Sequence, residues 1–424
     1  MSLRFITYAL LTHLLIVGLG GQAAREPGRD LVPVVFPSVS STQPQPFDAQ
    51  QGRALFAETW AIVRDYYVDP NLNGVDWAAV PAEFLPQIAT ITDKDAFYWL
   101  MWDVIDRLGD EHSTFLAPVE ALEEDAFSSG ESSGVFLGFG LHTFAMPDGS
   151  DLIQQVQAGS PAAQAGLQTN DLIITINDLT PDEFWWSDYT LDSTTAVRFE
   201  VQSPNGAPRM VPIVPAEIDE LPMATVSATR IIDGRVGFIV IYHFDQEGSS
   251  DEIRAALRDL LAEGPLEALV IDVRLNGGGY IIEMQDTLGL FIDGGIAGRD
   301  TGRDFADELP ISSNRLIDEL RAVPIAILAG PETVSAADVF SAVMQHYQRA
   351  VVVGLPTAGN TESLLPYELS DGSRIWLANS FFALPDGTAL EGRGVTPDRT
   401  FDVAWWRYAP EEDPLVLAAL DMVR

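Results

Sequence analysis

The sequence predicts an α/β chain in three parts: helices first, a small β-rich part next, and a larger layered part last. Helical periodicity dominates from Phe47 to Leu116, and short apolar runs punctuated by glycine follow from about residue 130. From about residue 216 to the end, strand patterns alternate with helical ones, which indicates an α/β layer architecture. The 424 residues are about three times the commonest domain size, so two or three domains are expected.

The composition excludes several classes of function. Hydrophobic residues make up 47% and charged residues 20%, which is typical of a globular chain. Cysteine is absent, so disulfides, thiolate nucleophiles and cysteine metal sites are excluded, and none of the five histidines are paired at helical zinc spacing. The formal net charge of −38 repels phosphate backbones. We therefore expect no metal, no cofactor and no nucleic-acid partner.

The first 46 residues read as an export signal and a tether. Arg4 precedes an apolar run from Phe5 to Leu19, and small residues follow, which predicts a signal peptide over 1–24. An uncleaved membrane anchor is the alternative, although the run is short for spanning a bilayer. Residues 25–46 are rich in Pro, Ser and Gln. The mature protein is expected to be exported to a periplasm, a cell surface or the medium, without a stable membrane span.

Residues 47–129 are predicted to form a helical domain. Phe56, Trp60 and Val63 recur at helical spacing, as do the apolar residues between Phe97 and Leu108. The second of these runs ends at Gly109, where a helix would stop.

Residues 130–215 resemble a PDZ domain. Strand patterns at 151–153 and 171–176 flank the short Ala-rich helix of the segment SPAAQAGL, which begins at Ser160. In a PDZ domain, a Gly-containing apolar loop binds the carboxylate of a peptide, which adds a strand to the sheet edge. The resemblance implies that the peptide-binding loop consists of Val135, Phe136, Leu137, Gly138 and Phe139.

Residues 216–424 are predicted to form the α/β domain. Strands are expected at 236–241, 266–273 and 325–329, and a helix is expected from Ser335 to Tyr347. Ser249 and Glu252 have the spacing of a capping box at the start of another helix.

Four short segments could carry chemistry, and each also has an ordinary structural interpretation. Ser335 lies at a strand-to-helix turn, where the helix dipole favours a nucleophile, although an N-cap serine is the commoner role. The sequence DVRLNGGG over 272–279 follows a strand and can expose backbone N–H groups, or can be a plain turn. His112 follows a helix end and Glu391 begins EGRGVTPD, and alone either segment could be a surface turn.

Together and in this order, these segments resemble the serine peptidases that include the C-terminal processing proteases and the tricorn core protease. The resemblance extends from Phe47 to Asp398. It implies a catalytic domain of the crotonase/ClpP type of α/β fold, with the PDZ-like domain between it and the helical domain. It also implies that Ser335 is the nucleophile and that an oxyanion would be held by backbone N–H groups of Ala336, Gly277 and Gly278.

The resemblance further suggests which residue is the general base. C-terminal processing enzymes use a lysine about 25 residues after the serine, but Asn360 stands there and cannot accept a proton. Tricorn-like members use a histidine and a glutamate, which correspond to His112 and Glu391 here. Glu111 departs from that pattern, because a serine normally precedes the histidine. The function implied is an exported endopeptidase of polypeptides with a Ser-His-Glu site and a PDZ domain for substrate capture or gating.

Two other functions fit the same residues. A non-catalytic ligand- or peptide-binding protein could use this scaffold, and the tryptophan pairs at 185–186 and 405–406 permit a hydrophobic groove or ordinary packing. A PDZ scaffold or chaperone for membrane-protein tails is the third possibility. Replacing Ser335 by alanine separates them, because only the enzyme would lose turnover. The sequence makes no prediction of oligomeric state.

Overall fold

A computed structural model describes residues 47–110, 112–129, 135–184, 193–219 and 223–423. The predicted signal peptide and tether, Glu111 and the tryptophan pair at 185–186 lie outside these ranges. No helix in the described ranges is long and apolar enough to cross a membrane.

The N-terminal part is helical, as its periodicity predicts. Its elements are α1 (Ala49–Tyr66), α2 (Val80–Ile88), α3 (Lys94–Asp106), β1 (Thr114–Leu116) and α4 (Pro118–Ser128). Asp48 and Asp93 cap α1 and α3, and each carboxylate accepts a backbone N–H of the first turn. The buried face of these helices packs on Leu364, Ile375 and Leu377 from the C-terminal half, so the helices share their core with distant strands.

The middle part is a small antiparallel β structure. Its elements are β2 (Val135–Gly138), β3 (Leu141–Ala145), β4 (Asp151–Val156), α5 (Pro161–Gln164), β5 (Leu172–Ile176), β6 (Val197–Gln202), β7 (Arg209–Ile213) and β8 (Ala216–Asp219). Strands β3 to β7 form one sheet in sequence order, and β2 pairs with β8 in a separate ribbon. Ser160 caps α5 by accepting the N–H of Ala163.

The predicted peptide-binding loop is largely a strand. Residues 135–138 form β2, and Gly138 pairs with Ala216 of β8. Only Phe139 lies in the turn that follows, and its ring is buried against Phe199. The prediction of a loop over 135–138 was therefore wrong, because the apolar run pairs with a strand that lies about 80 residues later in the chain.

The C-terminal part contains two sheets. Its elements are β9 (Val226–Ile231), β10 (Val236–Ile241), α6 (Ser249–Ala262), β11 (Ala268–Asp272), α7 (Ile281–Leu288), β12 (Gly295–Gly302), β13 (Ala306–Ile311), β14 (Ile325–Ala329), α8 (Ala336–His346), β15 (Ala350–Gly354), β16 (Glu362–Glu368), β17 (Arg374–Ala383), β18 (Arg399–Thr400) and α9 (Pro414–Val423). One sheet has the order β18-β15-β14-β11-β10-β9, and the four strands β10, β11, β14 and β15 are parallel. The second sheet joins β1, β17, β12 and β13, with β16 paired to β17.

The topology brings the candidate residues to one place. Ligand sites of parallel sheets form at the carboxyl ends of the strands. The glycine turn follows β11, and Ser335 follows the neighbouring strand β14. The second sheet carries β1, which begins two residues after His112, and β16, which begins at Glu362. Residues from both halves of the chain therefore meet where the two sheets approach each other.

The net charge predicts a stability that rises with ionic strength. A formal charge of −38 favours expanded states through self-repulsion, and about 0.5 M NaCl shortens the screening length several-fold relative to about 0.01 M. We expect the melting temperature to rise by on the order of a few °C between these concentrations. Thermal unfolding over a series of NaCl concentrations measures this. A melting temperature that stays constant or falls as the ionic strength rises would contradict the electrostatic explanation.

Candidate active site

Ser335 occupies a strained position at the start of α8. Its backbone angles are φ 61° and ψ −122°, which a residue with a side chain rarely adopts. The side chain is fully buried, and its Oγ has no hydrogen-bond partner among the described residues. Ser335 therefore does not use its hydroxyl to cap α8. A serine held in a strained conformation at a sharp strand-to-helix turn is typical of a nucleophile.

His112 and Glu362 form a buried pair. The Nδ1 atom of His112 lies 3.1 Å from Oε2 of Glu362, and the two side chains are 5% and 6% exposed. Because an ionised carboxylate only accepts, Nδ1 carries a proton, and in the neutral imidazole Nε2 keeps its lone pair. This Nε2 is buried and has no hydrogen-bond partner in the described structure. The neutral imidazole would therefore offer this nitrogen as a proton acceptor, which is what a general base requires.

The turn that carries His112 is held by Asp110. One carboxylate oxygen accepts the backbone N–H groups of His112 and Ser113 at 3.2 and 2.9 Å, and the other accepts the Ser113 hydroxyl at 2.6 Å. That hydroxyl in turn accepts the N–H of Ala378 in β17, at 3.0 Å. The sequence motif therefore fixes the histidine against the second sheet.

Glu391 does not contact His112, although the resemblance implies that it orients the imidazole. Its Oε2 accepts the backbone N–H of Thr361 at 2.6 Å and the hydroxyl of Thr361 at 3.1 Å. The carboxylate at the imidazole is Glu362, which the sequence reasoning missed. Burial raises the pKa of Glu362, and the Glu391 charge adds to that rise, so the two carboxylates are close. The sequence offered one signal for Glu362: it lies two residues after Asn360, the residue that stands where other family members have their lysine base.

The glycine turn faces Ser335. A Cβ at Gly278 would lie 2.7 Å from Cβ of Ser335, and its φ of 109° also favours glycine. The N–H of Gly278 donates to Oδ1 of Asn276 at 2.8 Å, so it is not free for an oxyanion, contrary to its predicted role. The N–H of Ala336 is the first of α8 and has no acceptor within the helix. Gly277 is buried in the same turn.

Asp338 is a further buried carboxyl group, one helical turn after Ser335. Its Oδ1 accepts the N–H of Gly359 at 3.1 Å, and its Oδ2 has no partner among the described residues. Burial raises the pKa of Asp338 to about 7, although hydrogen bonds from Thr357, Gly359 and the backbone of Ser335 oppose the rise. The charge of His112 also lowers this pKa, so Asp338 lies within electrostatic range of the imidazole.

The raised pKa of Asp338 gives a testable pH dependence of stability. Between its ordinary pKa of 3.8 and about 7, the folded state holds a proton that the unfolded state has released. The free energy of unfolding must therefore fall as pH rises through this range, by on the order of 1 kcal/mol per pH unit. Denaturation of Asp338→Asn at about pH 5 and about pH 8 should show a smaller fall than the wild type.

The control for this experiment is Asp318→Asn. That side chain is 83% exposed, so its replacement should leave the pH dependence of stability as in the wild type. If Asp338→Asn and the wild type lose stability in parallel as pH rises, Asp338 is ionised in the folded protein at both pH values.

The remaining candidates for a base lie elsewhere. His346 is partly exposed and faces Asp386 at 3.7 Å, and His243 is buried beside Asp245. Lys94 lies on α3, with its ammonium over the ring of Tyr98. Asn360 follows Gly359 in the segment between β15 and β16, and its Oδ1 is buried without a partner in the described structure. No cluster of metal-ligating side chains occurs within the described ranges.

The layered α/β fold and the strained serine at its strand-to-helix turn fit a serine peptidase. The model of the family described as "Peptidase family S41" matches residues 235–401. The models described as "Tricorn protease C1 domain" and "PDZ domain" match residues 48–106 and 152–211. Three successive segments of the chain thus have the sequence features of a Tricorn C1 domain, a PDZ domain and a family S41 peptidase domain, in this order.

Related proteins agree with this assignment. The chain is 25% identical over 382 residues to the chloroplastic carboxyl-terminal-processing peptidase 2 of Arabidopsis thaliana. The aligned region covers 85% of this chain and 71% of that protein. It is 28% identical over 305 residues to a probable CtpA-like serine protease of Staphylococcus aureus (strain COL), and the aligned region covers 70% of this chain. The chain spans 58% of the length of that staphylococcal relative.

Two solved structures share the fold. The photosystem II D1 C-terminal processing protease has a TM-score of 0.54 and 22% identity, over 88% of this chain and 97% of that one. A putative S41 protease from Bacteroides fragilis has a TM-score of 0.57 and 16% identity, over 86% of this chain and 96% of that one. The predicted combination of a helical region, a PDZ domain and an α/β peptidase domain is confirmed.

Proposed function

We propose that this serine peptidase is an exported endopeptidase in which His112 activates Ser335 and Glu362 orients His112. The observation that carries the proposal is the buried His112–Glu362 pair, which leaves Nε2 of the imidazole free to accept a proton. The Oγ atom of Ser335, which would supply this proton, is also buried without a partner among the described residues.

The chemistry follows from these positions. Oγ of Ser335 attacks the peptide carbonyl while its proton moves to Nε2 of His112, and the imidazolium is stabilised by Glu362. The oxyanion of the tetrahedral intermediate accepts the N–H of Ala336, and the neighbouring turn supplies Gly277 as the second donor. His112 then returns the proton to the leaving amine, and water hydrolyses the acyl-enzyme by the reverse sequence. Glu391 acts through Thr361, which directly precedes Glu362 in the chain.

The PDZ domain provides a place for substrate capture. Strand β3 lies at the edge of its sheet, and a polypeptide can add to such an edge as a further strand. The turn at Phe139 and Gly140 precedes this edge strand, where a peptide carboxylate would meet backbone N–H groups. Export rests on the apolar leader at 1–24.

Reaction with a fluorophosphonate tests the proposal without knowledge of the substrate. Intact mass measurement of the mature chain should show one adduct, and peptide mapping should place it on Ser335. Ser335→Ala should give no adduct, and His112→Ala should react at least about 10³-fold more slowly. An adduct formed at an unchanged rate on His112→Ala would exclude His112 as the base. A folded wild-type chain without any adduct would favour the non-catalytic binding protein.

A further inference from the structure

His243 and Asp245 form a second buried pair that the proposed mechanism does not use. Their side chains are 1% and 8% exposed, and Nδ1 of His243 lies 2.5 Å from Oδ1 of Asp245. The other ring nitrogen, Nε2, lies 3.1 Å from the carbonyl oxygen of Met223. Nε2 therefore faces a hydrogen-bond acceptor and Nδ1 is in ion-pair contact with a carboxylate, an arrangement that suits the doubly protonated imidazolium. Burial lowers the pKa of His243, but Asp245, the carbonyl of Met223 and the charge of Glu252 together outweigh it, so this pKa lies above its ordinary value of 6.5.

Phe244, between these two residues, supports the glycine turn. Its N–H donates to the carbonyl of Gly278 at 2.7 Å, and its own carbonyl accepts the N–H of Tyr280 at 2.8 Å. A Cβ at Gly279 would lie 2.3 Å from the backbone of Phe244, so the two segments are in direct contact. The opposite side of the same turn faces Ser335. A shift of Phe244 would therefore move the turn relative to the nucleophile.

Met223 connects this pair to the PDZ domain. Its carbonyl also accepts from the side chain of Gln246, at 3.2 Å. The next residue, Ala224, exchanges two hydrogen bonds of 2.8 Å with the carboxamide of Gln155 in β4. Hydrogen bonds, together with the covalent steps from Ala224 to Met223 and from His243 to Phe244, thus connect a PDZ strand to the glycine turn.

We propose that the His243–Asp245 pair is a positioning device that fixes the glycine turn against Ser335 and couples that turn to the segment connecting the PDZ domain. The proposal rests on the proposed function, since it assigns the turn to oxyanion binding. His243 and Asp245 touch neither substrate nor reacting atoms; they act through Phe244. When the imidazolium loses a proton, one of its two nitrogens no longer donates, so its interaction with either Met223 or Asp245 weakens.

The charges around His243 determine the direction of the pH effect. Asp245 on the same loop and Glu252 on α6 both favour the charged imidazolium, while Met223 and Gln246 supply uncharged groups. The positioned state is therefore complete below the pKa of His243 and is lost as pH rises through it. His243 must keep its proton for the turn to be positioned, whereas His112 must lose a proton to act as a base.

Labelling kinetics of the full chain over a range of pH test the proposal. The fluorophosphonate rate of the wild type should fall on the alkaline side, and Asp245→Asn should shift that fall to lower pH by about one unit. His243→Gln retains a donor for Met223 and should abolish the alkaline fall while lowering the rate about tenfold. His346→Gln is the matched control, because it removes a surface His–Asp pair and should change neither rate nor profile.

A second measurement does not depend on activity. In chains labelled with ¹⁵N-glycine, the amide signals of Gly278 and Gly279 should titrate with the ring protons of His243, and Asp245→Asn should lower both midpoints together. Glycine signals that stay constant while His243 titrates would overturn the proposal, as would an equal rate loss at every pH in Asp245→Asn. If the wild type shows coupled titration but never reacts with the probe, the positioning stands and the proposed function fails.

Discussion

Replacing Glu362 by glutamine should lower kcat about 10⁴-fold, with little change in KM. The carboxamide can donate to Nδ1 of His112, which favours the tautomer whose proton is on Nε2, and that nitrogen then cannot accept the Ser335 proton. The buried position of the pair makes this effect large, because bulk water cannot substitute for the lost carboxylate. Steady-state kinetics on an unstructured polypeptide such as labelled casein measure the loss.

Glu391→Gln is the matched control. The two carboxylates lie close to each other, but Glu391 binds Thr361, and a glutamine at 391 still offers an oxygen to that N–H. We expect a loss of less than about tenfold in kcat. A larger loss in Glu391→Gln than in Glu362→Gln would mean that Glu391 orients the imidazole in the working enzyme, as the family resemblance implies.

Removing the guanidinium of Arg274 should destabilise the protein by about 3–5 kcal/mol. The guanidinium is 4% exposed and binds Asp272 twice, at 2.9 and 2.6 Å, and Asp413 once, at 2.7 Å. It also stacks 3.6 Å above the ring of Trp405. Arg274→Met keeps the apolar stem but leaves two buried carboxylates without their cation, so the free energy of unfolding falls. Urea denaturation measures this.

Arg258→Met is the control for the buried ion pairs. Arg258 binds Glu319 at 2.9 Å, but both side chains are about half exposed, and such surface pairs contribute about 0–1 kcal/mol. The loss in Arg274→Met should also shrink at low pH, where the carboxyl groups can be protonated. An equal loss in the two variants would show that solvent or a local rearrangement neutralises Asp272 and Asp413.

The elements with strong local patterns could be predicted from the sequence. Apolar spacing located α3 and α8, and continuous apolar runs located the buried strands β10, β11 and β14. The family resemblance led to Ser335 and His112, and the structure places a strained serine and a buried histidine there. These assignments needed only local patterns, or motifs in a recognisable order.

The main failure concerns the carboxylate at the imidazole, and its physical cause is that the deciding partner lies far away in sequence. Glu362 reaches His112 across 250 residues, and no local pattern distinguishes it from Glu391. The expected capping box at Ser249 does not form, because the helix begins one residue earlier than expected, with Gly248 as its N-cap. The hydroxyl of Ser249 donates to the carbonyl of Gln246, and the N–H of Glu252 donates to the carbonyl of Gly248. The N–H of Gly278 was predicted to be free, but the side chain of Asn276 accepts it.

The distance of 250 residues between His112 and Glu362 also governs when activity can appear during synthesis. The histidine turn leaves the ribosome first, the whole PDZ domain follows, and the carboxylate and serine come from the final third of the chain. A nascent or truncated chain therefore holds an imidazole without its carboxylate. Contacts of such long range form late in folding. Under the proposed mechanism, the base is complete only after the strand that carries Glu362 has folded, so we expect unfinished chains to be inert.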